Sequence, residues 1–146
     1  PNLLQRLMSN PLLEKLRRSR ETNAQIGGFT FVIRRPTQYQ ISEIPDKERA
    51  DNLTTQPETG EQKTIRIAKD EAMLRRFVVD WKDVKEIDIV PGGDPIAATF
   101  SADLLIEWLQ DKADLWRELT TAVWSVYMAH KEEVSESVGE SSAVSR

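Results

Sequence analysis

A helix-dominated α+β fold, with one short strand or hairpin element packed with about four to six helices, is predicted by three observations. Apolar residues recur at helical spacing along most of the chain. A single run of β-branched and aromatic residues, Phe29-Thr30-Phe31-Val32-Ile33, stands between Gly27-Gly28 and Pro36. Hydroxyl and carboxylate residues sit at capping distance before several helical runs.

The elements follow in order. Leu3, Leu4, Leu7 and Met8 recur at helical spacing, and Leu12, Leu13 and Leu16 continue it across Asn10-Pro11. Proline inside a helix costs about 3 kcal/mol, whereas at the first helical position its missing N–H loses nothing. The spacing therefore predicts a short helix to Met8, Asn10 as a cap, and a second helix from Pro11 to near Arg20. Arg17, Arg18 and Arg20 fall in its last turn, where they suit the helix dipole. Residues 1–21 thus read as an amphipathic, basic arm that can fold onto a partner; the polar face is too short to favour a membrane surface.

Thr22 to Gly28 reads as a linker ending in a Gly-Gly turn, and a main α+β domain spans 28–133. After the strand, Thr37 and Gln40 have the spacing of a capping box, so a short helix should run to near Ile44 and stop at Pro45. Residues 46–63 are polar, with Pro57 and Gly60 and almost no apolar anchor beyond Leu53, and read as a mobile loop. Helical pattern resumes near Ile67, with Met73, Leu74, Phe77, Val78 and Trp81 on one side. Residues 87–90 and 97–100 are expected to pair as a small hairpin across Pro91–Pro95. Ser101 should cap a helix carrying Leu104, Leu105, Trp108 and Leu109. Asp111, with Asp114 three residues on, is the expected start of the last helix, which runs to near Glu133. Residues 134–146 are acidic and serine-rich and read as a disordered tail.

Composition bounds the function. The chain has 146 residues, 39% hydrophobic and 30% charged, consistent with one domain and a modest core. No apolar run reaches the length needed to span a bilayer, and the first residues lack the pattern of a secretory signal. With no cysteine, disulfide and thiolate chemistry is excluded, and an intracellular, soluble protein is expected. The net charge of −4 argues against generic nucleic-acid binding. It is unevenly spread: residues 1–35 carry seven Lys and Arg against Glu14 and Glu21, a balance of +5 that leaves −9 for the remainder. That polarity suits head-to-tail contact or an acidic partner, the plainer alternative being a solvated basic face.

The last helix can be read as a surface. With Leu115 at 0° and about 100° per residue, Leu115, Trp116, Leu119, Ala122, Val123, Val126, Tyr127 and His130 fall in one arc, a core stripe. Trp124 and Met128 fall on the other side, with Arg17, Arg18 and Trp108 as further candidate partner-binding residues. Trp and Met are enriched in interfaces, Trp for area and Met for adaptability. The alternative is that another helix of the same domain covers them.

No catalytic, cofactor or metal constellation emerges. His130, the only histidine, lies on the apolar stripe, where a structural or capping role is expected. A lone His without Cys cannot make the usual zinc set. Asp80 with Asp83 and Asp111 with Asp114 read as helix-end groups. Asp88 and Asp94 around Gly92-Gly93 match no calcium loop, and Gly92-Gly93 lacks the lysine of a phosphate-binding loop. A non-enzymatic protein is expected.

Several runs carry a family resemblance. They are Phe29-Thr-Phe-Val-Ile-Arg-Arg-Pro-Thr37, a strand leading into a polar helix, and Leu74-Arg-Arg-Phe-Val-Val-Asp-Trp-Lys-Asp-Val84, read as a helix ending on Trp. An acidic Gly/Pro loop then closes on Phe100-Ser101, and Leu104-Leu105 leads through Leu115, Leu119 and Tyr127 to a charged end. This order resembles the small tail assembly chaperones of long-tailed bacteriophages. The resemblance implies a helix-rich α+β fold, no cofactor, work in the cytoplasm of the bacterial host, and binding to the helical tape-measure protein and tail tube subunits. Self-association is compatible with it. The basic amino-terminal helix and the insert at 46–63 depart from the pattern. Two other readings stand beside it: a structural virion protein of the tail or head–tail junction, and a nucleic-acid-binding regulatory module using the Lys15–Arg20 face.

Overall fold

The computed structural model describes residues 10–43 and 59–144, the last nine of them as backbone. The helix expected up to Met8 and most of the loop expected over 46–63 lie outside the described residues. Among those described, six helices accompany one three-stranded antiparallel sheet, so the helix-dominated α+β class holds.

Helix α1, Pro11–Ser19, begins as its sequence dictates: Pro11 occupies the first turn and the Asn10 side chain accepts a hydrogen bond from the Leu13 N–H at 3.1 Å. The segment after it is not a linker. Glu21–Ile26 is strand β1, paired residue for residue with β2, Phe29–Arg34. Gly27 and Gly28 join them with φ of +61° and +83°, the left-handed pair that a two-residue hairpin turn of matching twist requires. A Cβ on Gly27 would stand 3.1 Å from Leu115 Cδ1, so the turn is also wedged against the last helix.

Helix α2, Gln38–Ser42, has the capping box expected of Thr37 and Gln40, with both reciprocal hydrogen bonds formed. Helix α3, Gly60–Phe77, starts earlier than its apolar pattern shows, because Thr59 and Gln62 form a second box of the same kind. It also ends earlier. Val78–Lys82 is strand β3, entered directly from α3 and paired with β2. A bulge between Val32 and Ile33 brings Val78 opposite Ile33, both buried, and leaves Val79 on the open face.

The expected hairpin over 87–100 is replaced by a short helix α4, Glu86–Ile89, and one isolated bridge between Lys85 and Ala97. Asp83, at φ +59°, makes the turn out of β3. Helix α5, Ala102–Leu109, is capped by Ser101, whose hydroxyl accepts from the Leu104 N–H at 3.0 Å. The last helix, α6, spans Ala113–Val144. Lys112, not Asp111, supplies the first carbonyl, to the Trp116 N–H at 2.9 Å. The backbone stays helical past Glu133 as far as Val144, where a disordered tail is expected from residue 134 on.

The core lies between one face of the sheet and helices α3, α5 and α6. Ala24, Phe31 and Trp81 are register partners on that face. Against them pack Leu74 and Phe77 of α3, Leu105, Ile106 and Leu109 of α5, and Leu119 and Val123 of α6. The stripe expected on the last helix is the one that is buried, with Leu115, Leu119, Val123 and Tyr127 inside.

Candidate interaction surface

The candidate partner-binding residues separate into two environments. Trp108 is core: 6% exposed, it stands edge-on to Phe29 at 5.1 Å and to Trp81 at 5.8 Å between ring centroids. Its expected place in an exposed patch is therefore corrected. The reason is that α5 turns four apolar side chains, Leu105, Ile106, Trp108 and Leu109, into the same core. Trp81 closes the cluster, edge-on to Phe100 at 5.0 Å, with its indole N–H donating to the Ala98 carbonyl at 2.8 Å. The indole nitrogen of Trp108 is buried with no acceptor among the described residues.

Trp124 and Met128 lie four residues apart on α6, and only Met128 stands exposed as the helical wheel places it. Trp124 is half-buried and Met128 is 46% exposed. From Met128 to Ser135 no residue is buried, so this part of α6 leaves the packed body while its proximal half belongs to it. Trp116, on the core side, is held by its indole N–H, which donates to Asp70 Oδ2 at 3.3 Å. His130 is half-buried.

Arg17 and Arg18 are exposed on α1, and among the described residues Arg18 reaches only a long 3.8 Å contact with Glu14, worth little at a solvated surface. More telling are the leucines beside them. Leu12 is 74% and Leu16 is 48% exposed, Leu13 is exposed too, and α1 buries no residue at all. A second apolar surface was hidden from sequence reasoning: Ile87 on α4, and Val90 and Ile96 after it, are all exposed in the segment between β3 and α5, the β3–α5 loop. That loop is tied by backbone bonds from Glu86 N–H to the Ile96 carbonyl at 2.9 Å and from Ile87 N–H to that of Asp94 at 3.1 Å. The sequence held no signal for it, because Ile87 and Val90 read as part of one strand of a hairpin with 97–100, a pairing that α4 replaces.

The open face of the sheet carries a polar groove of about 440 Å³, where Arg18, Arg34 and Lys82 face Glu21, Asp80 and Asn23. Arg34 and Glu21 are register partners and pair at 3.2 Å. Burial lowers the pKa of the nearby Arg35 guanidinium, and repulsion from Arg20 adds to it. Arg75 is shifted the other way by its 2.6 Å hydrogen bond to Asp103, which ties α3 to α5.

No family model, curated protein or solved structure matches this chain. Among the described residues, no group of three or more His, Asp or Glu is placed to share a metal ion. Nor is any described helix long and apolar enough to cross a membrane. What the geometry offers chemically is contact area: apolar side chains set beside charge, on α1, on the β3–α5 loop and on the outer half of α6.

Proposed function

We propose that this protein is a non-enzymatic tail assembly chaperone of a long-tailed bacteriophage, working in the host cytoplasm on the tape-measure protein and the tail tube subunits. The order of sequence features from Phe29 to the last helix supports the reading. One structural observation carries it: apolar side chains stand at helical spacing on exposed helix faces, Leu12, Leu13 and Leu16 on α1 and Met128 beside Trp124 on α6. A chaperone for a long amphipathic client has to cover the client's apolar stripe until assembly. Helix-in-groove contact does so with apolar anchors at i, i+3 and i+4 spacing, and it needs no catalytic group.

The test is co-expression with the tape-measure protein and, separately, with the tube protein encoded beside it. A soluble complex with either is expected, and Met128→Ser should weaken it while leaving the protein folded. Binding to neither overturns the reading. Mass spectrometry of purified particles separates it from a structural virion subunit, since a chaperone is absent from the finished particle.

A further inference from the structure

Among the described residues, the two strongest unpartnered apolar surfaces differ in charge and join the sheet at opposite ends of its strands. On α1, at about 100° per residue, Leu12, Leu16 and Leu13 cover one arc, and Lys15 and Arg17 flank it on either side. On the β3–α5 loop, Ile87, Val90 and Ile96 are exposed among Asp83, Glu86, Asp88 and Asp94, with Lys85 the one cation of the segment 83–98. Helix α1 enters the sheet where Glu21 pairs Arg34, whereas the loop leaves it after Lys82, which pairs Thr30. At about 3.3 Å per residue, the two segments join the sheet a strand's length apart.

We propose that the leucine arc of α1 docks on the acidic, aliphatic β3–α5 loop of a second copy of this chain. Each surface supplies what the other lacks. Leucines meet isoleucines and a valine, and the flanking Lys15 and Arg17 meet Glu86 and Asp94, both exposed. Opposite charge around an apolar centre sets register and speeds encounter, while the apolar centre holds the contact. Because the two surfaces are different patches, the contact is heterologous, and it either closes into a ring or runs on as a chain. Three aliphatic side chains on each side make a small interface, of the weak class that forms at high protein concentration. The proposal does not rest on the tail-assembly reading; it concerns only copies of this chain.

Sedimentation or light scattering on the full chain at low salt tests it. The wild type is expected to rise above the monomer mass of 16.7 kDa as its concentration is raised, and to fall back toward it in high salt. Three folded variants, checked by circular dichroism, should stay at monomer mass under the same conditions: L12Q/L16Q, K15E/R17E and E86K/D94K. Mixing K15E/R17E with E86K/D94K in equal amounts should restore association, because each reversed surface then meets its complement. A wild type that stays monomeric at low salt overturns the proposal, whatever else covers the leucines. So does association that all three variants retain, or a charge-reversed mixture that stays monomeric.

Discussion

Helices α1 and α5 are of nearly equal length and both are amphipathic, yet their apolar faces have opposite fates. Four residues of α5 are buried in the core, whereas α1 buries none of its leucines. Both begin with a side-chain cap, Ser101 on α5 and Asn10 on α1. Local sequence therefore decides that each is a helix and where it starts, but not whether its face is filled. That is decided by what lies across from it. Helix α5 meets Phe29, Phe31 and Trp81 on the sheet. Helix α1 runs into an edge strand whose neighbouring open face is polar.

The sharpest break between the two comes from truncating a leucine on each. Leu105→Ala, at a fully buried position, should lower stability by about 2–5 kcal/mol in chemical denaturation. Leu16→Ala should stay within about 0.5 kcal/mol of the parent, since it removes no buried contact; a large loss there would mean that α1 is packed after all. The two core tryptophans give a finer comparison. Trp81→Phe leaves the Ala98 carbonyl without its donor, while Trp108→Phe removes a buried N–H that has no acceptor among the described residues. Trp81→Phe should therefore cost about 1–3 kcal/mol more than Trp108→Phe in urea unfolding, and equal costs would show that both indoles act through ring packing alone. The smallest difference lies in the caps. Ser101→Ala should lower global stability by about 1 kcal/mol, whereas Asn10→Ala should leave the unfolding midpoint unchanged and reduce only helical circular dichroism.

The same distinction explains what the sequence made legible. Capping at Asn10, Thr37 and Ser101, strand β2 and the buried stripe of α6 are local patterns, and each stands where its residues predict. Strand β1 was not legible, because Glu-Thr-Asn-Ala-Gln-Ile is an edge strand held by pairing to β2 rather than by apolar alternation. Strand β3 was misread as helix because Leu74, Phe77, Val78 and Trp81 have perfect helical spacing; only pairing with β2, far away in sequence, turns the last two into a strand. The start of α3 was legible after all, in the Thr59–Gln62 box. In the candidate surface, Met128 was readable from the wheel. Trp108 was not, since a tryptophan on a helix face looks the same whether or not a sheet covers it.

The turn at Gly27-Gly28 has a bearing on the order in which the molecule assembles. It places Ile26 opposite Phe29 almost at once along the chain, whereas Ile33 must find Val78, 45 positions later. A hairpin of this kind closes within about 1–10 μs, and the longer closure is slower because more chain entropy is lost before any contact forms. The most polar strand is thus in place first, as a template. Once β2 is held by it, the chain returning through α3 meets an edge already straightened and twisted to receive β3, and the aromatic core condenses on the side that β1 has helped to define.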